Sequence, residues 1–304
     1  MTVDVAASAP GRGQPSGPAH PRAREPRGPG ARKGGRGSRA LLYTVLVLLA
    51  LAFVVPLIWM ISSSLKPENE IMRVPPNPVP THPQWDTYAK AGRTVWPFFV
   101  NSIKLAAINV VLLLLFASMA AYGFARLRFA GKRLAFAALL ATAMIPSMVY
   151  LVPQYILYRQ IGWVDTQYPL WIPRVLTPVF GTFLLRQAFL QVPGELEDAA
   201  LIDGANRFTI YWRIMLPQVK PALAAVGVLT FMESWNDLFG PLIFVNSPSI
   251  QTLPVALAMF QGEYFSQTNL MMAAATISVV PPLVLFLMAQ RYFVRGVTMS
   301  GLKG

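Results

Sequence analysis

The sequence predicts an all-α polytopic membrane protein with six transmembrane helices and both termini in the cytoplasm, and three observations carry that prediction. Of 304 residues 54% are apolar, with a mean hydropathy of +0.46, more nonpolar than a soluble domain usually is. The apolar residues fall in blocks of roughly 20, the length that crosses about 30 Å of hydrocarbon. The basic residues of the links between blocks agree with an inside location of both ends.

Residues 1–40 are rich in Gly, Pro, Ala and Arg and hold almost no aliphatic side chains, so a disordered tail is expected, followed by a membrane domain over 41–304. Its Arg12, Arg22, Arg24, Arg27, Arg32, Lys33, Arg36 and Arg39 oppose only Asp4 and Glu25. No aromatics interleave them to stack bases, so the tail reads as an anchor keeping this end in the cytoplasm, with no nucleic-acid partner. Leu41 to Ile61 is the first span, too long for a signal-peptide core and followed by no small-residue cleavage site. Ser62 to Pro97, with Pro75, Pro76, Pro78, Pro80 and Pro83, reads as an external loop, because irregular backbone cannot face lipid.

Span two is expected from about Phe98 to Phe124. It leads into Arg126, Arg128, Lys132 and Arg133, which mark a cytoplasmic link. Span three, about Leu134 to Tyr158, contains Pro146 and Pro153. Proline frees a carbonyl inside a membrane helix, so Pro146, Tyr150 and Gln154 either line a watery pathway or belong to a packing kink. Gly162 to Tyr168 is an external turn, and Pro169 to Leu190 is span four. Span five, about Pro221 to Val245, carries Glu233, Trp235, Asn236 and Asp237. Buried charge in a membrane is costly, so these are candidates for the substrate pathway, the alternative being packing at a bend. Asn246 to Asn269 holds no Lys or Arg and is placed outside, span six covers about Leu270 to Ala289, and Arg291, Arg295 and Lys303 put the end of the chain inside.

Cysteine is absent, and the two histidines, His20 and His82, stand in polar Pro-rich segments. Disulfides, thiolate nucleophiles and Cys-ligated metals are thereby excluded, and no metal site is expected. No Gly-rich loop followed by Lys-Ser or Lys-Thr occurs, so the chain carries no nucleotide-hydrolysing site. It is therefore read as a transport component and not an enzyme. A proton-coupled transporter using Glu233 or Asp237 is the competing class, although such proteins usually hold more spans in one chain.

Pro193 to Pro217 is polar and helix-forming but too poor in apolar residues to cross a membrane. Pro193 suits a first helical turn, with Glu195, Glu197 and Asp198 where the helix dipole is positive. Leu196, Ala199, Ala200 and Leu201 make a strip of mostly small apolar side chains, and Gly204 supplies a left-handed stop. Asn206 caps a second helix carrying Phe208, Tyr211, Trp212 and Met215, which Pro217 ends. A helix, a bend and a helix make a lug suited to a socket in a partner.

The spacing Asp198-Ala199-Ala200, three residues, Gly204, nine residues, Ile214, one residue and Leu216-Pro217 resembles the EAA loop of ATP-binding-cassette importer permeases, with Asp198 in place of the usual Glu. Ser64-Leu65-Lys66-Pro67, Asn101-Ser102, Phe183-Leu184-Leu185-Arg186-Gln187 and Ile202-Asp203-Gly204-Ala205 are similar to sugar-importer permeases, closest to the maltose-type subunit without a large external insertion. The tail Arg291-Tyr292-Phe293-Val294-Arg295-Gly296 and Gly301-Leu302-Lys303-Gly304 looks like that subunit's tail. The resemblance covers about residue 41 to the last. It implies the type I importer permease fold in a prokaryotic plasma membrane, a heterodimer with a second permease subunit, and an extracytoplasmic solute-binding protein. It also implies two ATPase subunits that hold the ATP and magnesium, and a carbohydrate substrate. Residues 193–217 would contact the ATPase through Glu195, Glu197, Asp198, Ala199, Ala200, Asp203, Gly204, Ala205, Ile214, Leu216 and Pro217, and the tail through Gly301, Lys303 and Gly304. A permease for a polyol or a glycerol phosphate is the alternative within the class.

Overall fold

The computed structural model describes residues 36–263 and 267–300, with side chains from Ala40 to Phe260 and from Gln267 to Arg291. The regular structure among these residues is helical. The chain divides into two compact units, residues 1–53 and 54–304, with the boundary inside α1 (Arg36–Ser64). Three helices are apolar and long enough to cross a membrane, Ala40–Ser64, Asp86–Arg126 and Thr268–Arg291, and three bent helix pairs raise the number to six if each pair is one span.

The segment expected to be an irregular loop to Pro97 is shorter and better ordered than that. After α2 (Glu68–Ile71), α3 (Asp86–Arg126) begins well before Phe98 and contains Pro97. The donor lost at Pro97 is outweighed by packing, because Ala91 and Val95, six and two residues earlier, are buried against α13 (Leu253–Glu263) and α14 (Thr268–Ser300). In the remaining loop, buried Lys66 donates to the Asn77 carbonyl at 2.6 Å and lies 4.4 Å from the Trp59 ring centroid. The Glu70 carboxylate accepts from Thr81 N and Oγ1 and from Asn77 Nδ2. These side chains satisfy backbone that five prolines leave without regular partners.

The spine of the second unit is α3, which enters three buried clusters. Leu113, Ala117 and Tyr122 pack with Leu185 and Phe189 of α7 (Val179–Gln191) and Val226 of α11 (Lys220–Trp235). Leu105 packs with Tyr158, Leu170 and Phe244. At Gly181, an added Cβ would stand 3.1 Å from Leu113 Cδ2, 3.2 Å from Ala117 Cβ and 3.2 Å from Val226 Cγ1, so glycine sets the approach of α7 to α3 and α11. Asn109, fully buried, donates to Ser234 Oγ at 3.0 Å and to the Leu170 carbonyl at 3.4 Å, tying α3 to α11 and α6 (Tyr168–Leu176). Interhelical bonds of this kind contribute about 0.6–2 kcal/mol in a membrane.

The segment expected to be span three is not one straight helix. α4 (Lys132–Thr142) and a 3₁₀ turn (Ser147–Tyr150) leading into α5 (Leu151–Gln160) meet at 83°. Pro146 lies between them with ψ 135, outside helical space, whereas Pro153 sits in the first turn of α5, where its missing donor is not needed. The stretch from Asn246, expected only to be external, folds into a 3₁₀ turn (Pro248–Ile250) and α13, pinned by Asn101 Nδ2 to the Ser249 and Gln251 carbonyls at 2.8 and 2.9 Å. Ser102 Oγ accepts from Leu253 N at 2.8 Å. Polar residues of α3 thus organise a segment about 150 positions away, which local sequence does not reveal.

Candidate functional site

The lug folds as a helix, a bend and a helix. α8 (Glu195–Ile202) starts with three carboxylates in its first turn, and its cap is Gly194, so Pro193 stands just ahead of the helix and not inside its first turn. At its end Gly204 takes φ +78, Ala205 N donates to the Ala200 carbonyl at 2.9 Å and Gly204 N to the Leu201 carbonyl at 3.1 Å, a Schellman stop. Asp203 is the last residue before that stop and is exposed. A Cβ at Gly204 would meet nothing within 4 Å, so within this chain the glycine serves the backbone sign and not close packing.

The second arm opens at Asn206, whose Oδ1 accepts from Thr209 N at 2.8 Å. α9 (Arg207–Thr209) runs into a π-helix (Ile210–Met215) and then α10 (Leu216–Gln218). Pro217 therefore does not end the arm. Its missing N–H and bulk fall where the preceding turn has widened to i→i+5 bonding, and the chain turns by 80° only after Gln218, into α11. Ile210, Tyr211 and Met215 are buried with Ala200, Ile214 and Leu216 packed on the same cluster, and Tyr211 Oη lies 2.7 Å from Ser118 Oγ of α3.

The strip of small residues splits. Ala200 faces the bundle, while Ala199, Leu196 and Leu201 are exposed. Ile202 is 87% exposed, Phe208 65% and Trp212 50%, the two rings stacked at 6.4 Å. Glu195 and Asp198 on α8 are exposed as well, and so are Arg207 and Arg213 next to the two rings. The projecting face is thus apolar with charges of both signs at its margin, the composition of a protein contact. Glu197, expected to contact the ATPase, is instead buried on the inner side of α8 and off the projecting face, with Oε1 3.7 Å from Arg126 Nε and Oε2 3.9 Å from Arg207 Nη1.

A second feature is a cleft of about 500 Å³ between α5 with its preceding 3₁₀ turn, α6 and the residues around the end of α11. It is lined by Tyr150, Gln154, Arg174, Glu233, Asp237 and Phe239, among others. Arg174 Nη2 stands 3.6 Å from Glu233 Oε1 and 3.4 Å from Asp237 Oδ2. Asp237 Oδ1 also accepts from Gly240 N at 3.0 Å, in the first turn of α12 (Phe239–Phe244), just past the end of α11. Polar walls with aromatic sides suit a hydroxyl-rich ring.

The other expected pathway residues go elsewhere. Trp235 is buried in the core, stacked with Phe231 at 5.6 Å, edge-on to Phe99 at 5.6 Å and donating to the Ser278 carbonyl at 3.2 Å. Asn236 turns back on its own helix, donating to the Met232 carbonyl at 2.8 Å, and Pro146 stands exposed at the bend. Gly301, Lys303 and Gly304 lie outside the described residues. Arg174 escaped the sequence reading, yet a lone guanidinium in the apolar run Tyr168 to Leu176 was a signal in plain view.

A family model described as binding-protein-dependent transport system inner membrane component matches residues 113–299. The chain is 34% identical over 270 residues to an arabinooligosaccharides transport system permease protein of Halalkalibacterium halodurans, covering 87% of this chain and 96% of that one. It is 32% identical over 272 residues to a trehalose transport system permease protein of Mycobacterium tuberculosis, covering 88% and 98%. In fold it is similar to a chain of a bacterial ABC transporter involved in the import of the acidic polysaccharide alginate, with a TM-score of 0.73 over 88% of this chain and 100% of that one at 21% identity.

Proposed function

Because the chain belongs to the family of binding-protein-dependent transport system inner membrane components, we propose that it is the permease subunit of an ATP-driven carbohydrate importer in a prokaryotic plasma membrane. Its partners are a second permease subunit, two ATPase subunits that hold ATP and magnesium, and an extracytoplasmic solute-binding protein. Six spans with both ends inside put residues 193–217 on the cytoplasmic side. The observation that carries the reading is the lug itself: a capped helix, a left-handed bend and a second arm project Ile202, Phe208 and Trp212 away from the bundle.

Closure of the ATPase dimer on nucleotide pulls a lug seated in it, and rigid helices turn that displacement into alternating access. The cleft at Arg174, Glu233 and Asp237 lies on the solute's path. Relatives named for arabinooligosaccharide and trehalose transport favour a carbohydrate as the solute. The chain has no native cysteine, so one introduced by Ile202→Cys is the single thiol of this subunit. In the assembled complex it crosslinks to an ATPase subunit and resists impermeant reagents from outside. Absence of the crosslink, or labelling from outside, overturns the reading.

A further inference from the structure

We propose that Glu197 is a positioning residue whose carboxylate binds both arms of the lug to the inner ends of α3 and α7, so that they move as one piece. The inference rests on the reading of the lug as the ATPase contact. Of the three carboxylates that open α8, only Glu197 faces inward, 7% exposed, while Glu195 and Asp198 face out.

Two guanidiniums flank it, each from a different segment. Arg126 is the last residue of α3, and its Nη2 donates to the Phe189 carbonyl at 2.6 Å and to that of Val192, the end of α7 and the residue after it. Arg207 opens α9, beyond the Gly204 bend. Arg126 and Arg207 therefore place α3, α7, α8 and α9 around a single carboxylate.

The separations of 3.7 and 3.9 Å matter as much as the partners. Glu197 Oε1 and Arg126 Nε are buried without a hydrogen-bond partner. Hydrogen bonds weaken steeply with distance and angle, whereas Coulomb attraction falls only as the inverse of distance and is strengthened by burial. The Arg126 side of this hub, with side chains only 14% and 10% exposed, keeps its grip while the segments around it shift, whereas Arg207, 54% exposed, adds a weaker, partly screened attraction. The exposed acids of the lug cannot do this, because water screens them.

The test uses the full importer in proteoliposomes, with Ser147→Cys in the cleft as a maleimide reporter. In the parent, ATP and magnesium change the labelling rate at that position. With Glu197→Gln, which keeps shape and removes charge, the Ile202→Cys crosslink to the ATPase and ATP hydrolysis persist while the ATP-driven labelling change falls about tenfold. Glu197→Asp restores part of it. A full labelling change in Glu197→Gln overturns the proposal. So does loss of the crosslink and of thermal stability in that variant, since that outcome makes Glu197 merely structural. A parent with no crosslink at all defeats the docking reading instead.

Discussion

Asn206 and Gly204 show how much of the lug depends on single side chains. The Asn206 carboxamide satisfies the donor of Thr209, and Asn206→Ala removes it at a cost of about 1 kcal/mol. The expected result is a lower melting temperature for the purified complex together with a weaker Ile202→Cys crosslink. Gly204→Leu has open space for its side chain but must hold φ +78, a strain of about 1–2 kcal/mol. Reconstituted complexes with Gly204→Leu hydrolyse ATP without matching import, and normal import would contradict that assignment. Asp165 adds a pH dependence in the loop ahead of α6. The Ser247 hydroxyl, then the Ser247 and Asn246 amides, hold its carboxyl below the usual value. A depressed folded value means the tether is complete above the unfolded value near pH 4 and is lost as pH falls through the folded one. Protease accessibility of residues 246–250 is therefore flat from neutral pH to about pH 5 and rises only below pH 4, whereas Asp165→Ala raises it at neutral pH.

At the level of elements, α3 earns its unusual length from partners and not from composition. Pro97 interrupts its ladder, and the sequence alone placed that region in a loop. Burial of Ala91 and Val95 against distant α13 and α14 reversed the outcome. The same lesson applies where α7 meets α3: Gly181 looks unremarkable in an apolar run, but three side chains crowd the space its Cβ would fill. Gly181→Val overpacks that site by about 1–3 kcal/mol, measured as reduced thermal stability of the detergent-solubilised complex. The π-helix before Pro217 was equally hidden, because widening of a turn answers a steric demand made further along the arm.

For the whole molecule, sidedness is the property on which transport depends, and the absence of cysteine makes it directly measurable. Impermeant maleimide added to intact cells labels Val74→Cys in the first long loop and spares Ala130→Cys in the basic link. The reverse pattern would invert the molecule and remove the lug from the ATPase. Apolar blocks, basic links and the spacing from Asp198 to Pro217 were legible in the chain because bilayer thickness, the inside-positive charge bias and helix capping act on neighbouring residues. By itself the sequence thus determined a helical membrane protein and a capped lug with Gly204 at its bend. Tertiary structure alone decided that Glu197 turns inward while Asp198 does not, that Trp235 is core while Asp237 faces a cleft with Arg174, and that Asn109 joins three helices. The physical reason is that burial and ion pairing are made between residues roughly 60 to 125 positions apart, and local periodicity carries no term for partners so remote.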